Sequence, residues 1–319
     1  MNMGRNSSGV TRPATARLIV LAAALLLLAL CSGCAHSIPA APHDPIVGSV
    51  DALIVIITGV AIGAVGTLVG AGGGFLHVPI LLIFYGFSPL HAIGTSTVAV
   101  FLNALSGTFS YIHQEKIDYE LGIKFAVFAI PGVFMGSFTA QFFNSVVFSL
   151  LLAAVLMGLS YSLLFLSDLK FVCANAESEP RTRVIRDSIG DVHTYSPDLS
   201  IGYGGSFLVG ITSGLFGIGG GLIHVPMMNF IGIPIHIAAA TSHFIITITS
   251  FFGILIFTGL KAIDFDYAIF LGVGVILGAY YGARISLLVS PDVIKKVISV
   301  LLLLVAVRLI FGVIQLQGG

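Results

Sequence analysis

The sequence predicts an all-α polytopic membrane protein made of two inverted repeats of about five apolar segments each, the second segment of each being a short or re-entrant half-helix. Three observations point there. The 319 residues are 57% apolar and 9% charged, with a mean hydropathy of +1.07, whereas a soluble domain carries roughly 25% charged residues. Ten apolar stretches fall into two groups of five, most of them near the roughly 20 residues that a span requires. A ten-residue motif occurs twice, as GAGGGFLHVP at 70–79 and GIGGGLIHVP at 217–226.

Residues 1–46 read as a leader and an extracytoplasmic stretch. A basic start (Arg5, Arg12, Arg17) precedes the apolar run 18–30 and the small residues Ser32 and Gly33, the pattern of a signal peptide. The segment from Cys31 to Cys34 is a poor lipidation motif, because Cys31 stands where an aliphatic residue is usual. Cleavage, lipidation at Cys34 and retention as an anchor stay open, and each leaves residue 35 onward outside the cytoplasm. The third cysteine, Cys173, is far from the other two, so no metal-site spacing arises.

The first transmembrane repeat, 47–167, holds apolar segments at about 47–69, 75–87, 91–112, 121–142 and 146–167. Residues 168–200 are polar, carry Pro180 and Pro197, and read as a cytoplasmic linker without a core of its own. The second repeat, 201–319, holds segments at about 201–217, 222–232, 236–258, 267–289 and 293–316. The second segment of each half is too short for an upright span and is either re-entrant or thin and tilted. Both choices leave an odd number of crossings per half, which inverts one half relative to the other.

Charge agrees with this count when residue 47 is placed outside. Lys116, Lys124, Lys170, Arg181, Arg183, Arg186, Arg284, Lys295 and Lys296 then fall at or near the cytoplasmic side, Lys261 outside and Arg308 within the last helix, as the positive-inside rule requires. The expected location is a prokaryotic inner membrane. A formal net charge of zero, from 14 basic and 14 acidic residues, argues against nucleic acid as a partner.

The duplication runs beyond the glycines. Thr95-Ser96 recurs as Thr241-Ser242, Gly107 as Gly253 and Ile117-Asp118 as Ile263-Asp264, while Pro89 and His91 recur as Pro234 and His236. These residues resemble the sulfite exporter TauE/SafE family, whose halves carry a glycine turn of the form GxGGG with a proline five residues on, then a Thr-Ser pair opening a helix. The resemblance spans about residues 48–316. It implies export of sulfur-containing anions such as sulfite, sulfoacetate or other organosulfonates. His77 and His224 depart from the apolar residue expected there, and Thr97 is answered by His243 in the second half, so no family role extends to these positions.

The residue chemistry suits an anion. Glycine runs let the backbone leave a helix, and the N–H groups that open the next helix can face a negative charge. Each helix start acts as roughly half a positive charge, so Gly72, Gly73 and Gly74 opposite Gly219, Gly220 and Gly221 could balance much of a monovalent anion without a buried lysine or arginine. Thr95, Ser96, Thr241 and Ser242 offer hydroxyls that either cap helices or donate to oxyanions, with one of each pair expected to face a cavity. His77 and His224 are candidate substrate ligands, and histidine is the natural carrier for a coupled proton. Asn103, Ser106 and Gln141 are expected mainly to bond between helices.

The expected activity is secondary transport of a small anionic substrate by alternating access, with an anion channel of the same architecture as the alternative. An enzyme is not expected: the apolar segments hold no paired carboxylates and no metal-ligand or nucleophile–base cluster. No cofactor is implied.

Overall fold

The computed structural model describes residues 49–69, 72–166, 182–186, 188, 190–286 and 291–318. The leader with Cys31 and Cys34, Cys173, most of the linker and Gly70 lie outside the described residues. Ten α-helices and one short hairpin make up the described chain. In the first half they are α1 (Ser49–Val69), α2 (Gly74–Phe84), α3 (Pro89–Ile112), α4 (Tyr119–Ala140) and α5 (Ser145–Tyr161), with α5 ending in a π-helical turn, Ser162–Leu166. Strands β1 (Arg183–Arg186) and β2 (Val192–Tyr195) pair antiparallel, with Arg183 opposite Tyr195. The second half repeats the order as α6 (Leu199–Phe216), α7 (Gly221–Phe230), α8 (Ile235–Gly259), α9 (Phe265–Ser286) and α10 (Pro291–Gly318).

Seven of these helices are long and apolar enough to cross a membrane, namely α3, α4, α5, α6, α8, α9 and α10. The protein is an all-α polytopic membrane protein. Polar residues just ahead of several helices satisfy the orphan N–H groups of the first turn. Asp118 caps α4 by accepting from Leu121 N, Asn144 caps α5 through Val147 N, and Asp198 caps α6.

The short second helices fold back on the first. Tyr85, at the end of α2, lies beside Thr58 in the first half of α1, and a Cβ on Gly66 would collide with Gly73. In the second half, Gly205 packs on Met227, Gly202 on Ile231, and His224 meets Ser206 at 3.1 Å. Both hairpins therefore run antiparallel about their glycine turns.

The two halves interlock through small residues. Helix α1 packs on α9 and α6 on α4, so the first helix of each half lies against the fourth of the other. Gly59 and Gly63 meet the backbone at Leu271 and Val275, while Gly210 and Gly214 meet that at Ala129 and Val133. A Cβ on Gly63 would lie 2.6 Å from the Val275 carbonyl oxygen. With lipid as the solvent there is little hydrophobic drive between helices, so such close backbone approach supplies the packing. Outward-facing Leu303, Leu304, Phe311 and Ile314 of α10 leave an apolar surface suited to acyl chains.

Helices α3 and α8 cross at the centre, where Val100, Ala104 and Ile246 form a buried cluster. They run antiparallel, since Thr97 lies beside Gly253 while Gly107 lies beside His243. The hairpin between the halves leans on this body instead of building its own core. Tyr195 is buried among Leu121, Phe125, Met228 and Ile231.

Candidate functional site

The glycine turns have the same backbone shape in both halves. Gly73 (φ 75°) and Gly220 (φ 72°) are the residues just before α2 and α7, both in the left-handed region that favours glycine. Neither helix start carries a side-chain cap. The turns touch: a Cβ on Gly74 would strike the Gly217 carbonyl and lie 2.6 Å from the carbonyl carbon of Ile218. Gly72 rests against Val100 and Ile246 at the central crossing.

One cavity opens beside the second turn. It is narrow, with room for about one water molecule, and is walled by both halves. Helix α3 gives Thr97 and Val100, α4 gives Val133 and Ser137, and α6 gives Ser213 and Gly214. Gly217 and Gly219 come from the turn, and Thr249, Ser250, Gly253 and Phe257 from α8. No charged side chain is among them. Three of the hydroxyls are engaged with their own helix: Thr97 donates to Ile93 O at 2.8 Å, Thr249 to Ile245 O at 3.0 Å, and Ser250 to Ile246 O. Ser137 is fully buried, and its hydroxyl has no partner among the described residues.

At the equivalent position beside the first turn a bulkier side chain stands. His243 stands where Thr97 stands in the other half, and its ring packs on Gly107 and on Tyr111, with ring centroids 5.3 Å apart. Asn103, which corresponds to Thr249, accepts from Thr67 at 2.7 Å and turns its amide nitrogen, otherwise unpartnered, toward Gly73.

Of the twelve residues that the sequence marks as candidate ligands, Gly219 lines the cavity. Gly72, Gly73, Gly74, Gly220 and Gly221 shape the two turns around it. His77 is buried beside Gly73, and neither ring nitrogen has a partner among the described residues. His224 is bonded to Ser206 and stacks on Phe125 at 6.5 Å. The Thr-Ser pairs act between the halves. Thr95 accepts the Asp264 N–H and Thr241 the Asp118 N–H, both at 3.0 Å, and Ser96 donates to Gly217 O at 3.2 Å. Ser242 is buried and engaged as well. The expectation that one hydroxyl of the first pair faces the cavity is not met, because both Thr95 and Ser96 bind backbone of the opposite half.

The cavity hydroxyls Ser137, Ser213, Thr249 and Ser250 escaped the sequence reading. Their signal was weak: isolated hydroxyls in apolar helices usually bond back to their own helix. Thr249 alone carried a hint, as the counterpart of Asn103. Asn103 and Ser106 do bond between helices, Ser106 to Ile276 O at 3.3 Å, whereas Gln141 bonds locally to Phe138 O.

A second polar centre lies at the junction of α4, α8 and the hairpin. Asp118 receives Arg183 Nε at 2.7 Å and the Tyr195 hydroxyl at 2.7 Å, while Arg183 also reaches Glu120 at 2.8 Å. Burial, then the hydrogen bond and negative charge of Asp118, push the Tyr195 pKa up, so the hydroxyl stays a donor.

Comparison with known proteins gives a consistent picture. The family described as Sulfite exporter TauE/SafE matches residues 55–309. The probable membrane transporter protein YunE of Bacillus subtilis is 32% identical over 267 residues, covering 81% of this chain and 97% of that protein. The probable membrane transporter protein MJ0441 of Methanocaldococcus jannaschii is 26% identical over 265 residues, covering 78% and 91%. No solved structure matches.

Proposed function

Because the chain belongs to the Sulfite exporter TauE/SafE family and is a multi-pass membrane transporter, we propose that it exports a small sulfur-containing anion by alternating access around the two glycine turns. The observation that carries this reading is the cavity beside Gly217 and Gly219, walled by hydroxyls from both halves and free of charged side chains. Helix starts at Gly74 and Gly221 bring partial positive charge to the same region. Sulfite, sulfoacetate and related organosulfonates are the candidate substrates.

The contrast between the two halves supports a rocking mechanism over an open channel. Inverted halves place equivalent spaces on opposite sides of the central crossing. At one, the small Thr97 lies against Gly253, and at the other the bulkier His243 lies against Gly107. With residue 47 outside, the open space belongs to the extracytoplasmic half. Rocking would close it as the other opens. An inside-negative potential favours anion exit by about 2.3 kcal/mol per charge per 100 mV, so export needs no coupled ion. His77 remains the candidate group if a proton is carried.

Purified protein in liposomes tests the reading with sulfite, sulfoacetate, methanesulfonate, thiosulfate, taurine and sulfate. Saturable flux and counterflow of at least one sulfur-containing anion are expected. Flux that never saturates would favour a channel, and no flux of any of them would overturn the proposal.

A further inference from the structure

The open cavity contains one fully buried polar group that the described residues leave without a partner. Ser137 Oγ is fully buried on α4, in the wall of the cavity, without a hydrogen-bond partner among the described residues. A serine in a helix ordinarily donates to the carbonyl four residues back, as Ser250 does toward Ile246 O. At Ser137 that place is crowded by the opposite half. Gly214 packs against Val133 O, and a Cβ there would lie 2.9 Å from Ser137 Oγ. A buried donor left unmade is costly unless something else accepts from it.

The surroundings say what that acceptor is. Thr97, Thr249 and Ser250 already donate to their own helices, so Ser137 is the fully buried hydroxyl donor held in reserve, with Ser213 less buried beside it. Across the space lie Gly217 and Gly219, next to the start of α7. Among the described residues that line the cavity none is basic and none titrates, so the only positive charge nearby is the partial charge of helix starts. Two such starts balance about one unit of negative charge. A second negative charge would be buried without compensation.

We propose that Ser137 donates a hydrogen bond to an oxygen of the transported anion, and that this subsite selects small monovalent oxyanions over divalent ones. The inference rests on the transport reading above and deepens it by naming the charge of the substrate and a specificity-determining residue. Bisulfite and alkyl sulfonates meet that charge requirement. Sulfate and fully ionised sulfite do not, and of the candidates above sulfoacetate, which carries a second charge, is removed.

Two measurements test it. In liposomes, Ser137→Ala should raise the KM for methanesulfonate about tenfold with the maximal rate kept, and Ser137→Thr should restore it. As pH is raised through the neutral-range ionisation of sulfite, sulfite flux should fall with the monoanion fraction while methanesulfonate flux stays level. An unchanged KM in Ser137→Ala, or sulfite flux that grows as the dianion accumulates, would overturn the proposal. In a protein with Cys31, Cys34 and Cys173 replaced by serine, Ser137→Cys should react with a negatively charged methanethiosulfonate reagent and be protected by methanesulfonate. Protection without any flux would keep the subsite and sink the transport reading. Flux of sulfur-containing anions without reaction or protection would sink the subsite alone.

Discussion

The hydroxyl of Thr95, near the start of α3, accepts the backbone N–H of Asp264, near the start of α9, at 3.0 Å; Thr241 of α8 takes the Asp118 N–H ahead of α4 at the same distance. Each bond joins the third helix of one half to the fourth of the other. The aspartates complete the joint by capping the helices that follow, Asp118 through Leu121 N and Asp264 through Tyr267 N. Glu115 and Lys261, three residues earlier, share one left-handed backbone conformation with φ 54°. The Thr-Ser and Ile-Asp repeats are thus two parts of one joint, used twice.

Thr241→Val should leave the Asp118 N–H buried without an acceptor and lower stability by about 1–3 kcal/mol. Thr241→Ser should keep most of it. Thermal unfolding in detergent reads the difference, and equal stability of the valine and serine variants would show that the hydroxyl contributes nothing.

Gly74→Ala should be among the most damaging single-methyl changes in the chain. The new Cβ meets the backbone of Gly217 and Ile218, which cannot rotate aside, and overpacking of this kind costs about 1–3 kcal/mol. Flux should fall with it, because the two turns are forced apart. Gly158→Ala, whose Cβ would meet nothing within 4 Å, should unfold at or slightly above the parent temperature.

His243 and Gly107 should be energetically coupled. A Cβ on Gly107 would strike the His243 ring, lying 2.9 Å from Nε2. Gly107→Ala alone should therefore destabilise, and His243→Thr, copying Thr97 in the other half, should relieve it. A double-mutant cycle on unfolding temperature gives the interaction. Additive effects would mean that the ring does not fill this space.

Arg183→Ala should loosen the hairpin. Arg183 bonds both Asp118, whose side chain is 4% exposed, and Glu120, which is 59% exposed, so the loss falls mainly on the buried carboxylate. Limited proteolysis at residues 182–198 should become faster, while Arg183→Lys, lacking the guanidinium fork, should give an intermediate rate. Alkali should act on the same contact. The Tyr195 pKa is raised by burial and by Asp118. The contact thus contributes fully below the ordinary tyrosine value and is lost as pH rises through the folded one. Proteolysis should be level through neutral pH and accelerate only in strong alkali; acceleration near neutrality would contradict it.

Much of the architecture was legible in the chain. Hydropathy and glycine placement are local properties, and they located the apolar helices, the two turns and the short second helix of each half. Internal repetition also tied Thr95 to Thr241 and Asp118 to Asp264 as equivalent positions. Repetition equates positions without saying what each one touches. The threonines were read as caps or anion donors, yet each takes the N–H of an aspartate loop 123 or 169 residues away in sequence.

By itself, then, the sequence determined the membrane class and the glycine turns, because burial in lipid demands long apolar helices and a backbone break favours glycine where φ is positive. Only the tertiary structure decided that the halves interlock first helix to fourth, that His243 packs on Gly107 where Thr97 packs on Gly253, and that Ser137 is left with a hydrogen bond to give. The physical reason is the same in each case. A hydroxyl or imidazole bonds whatever the packing of distant backbones brings within about 3 Å, and that distance is set by helix-to-helix contact, which no local pattern records.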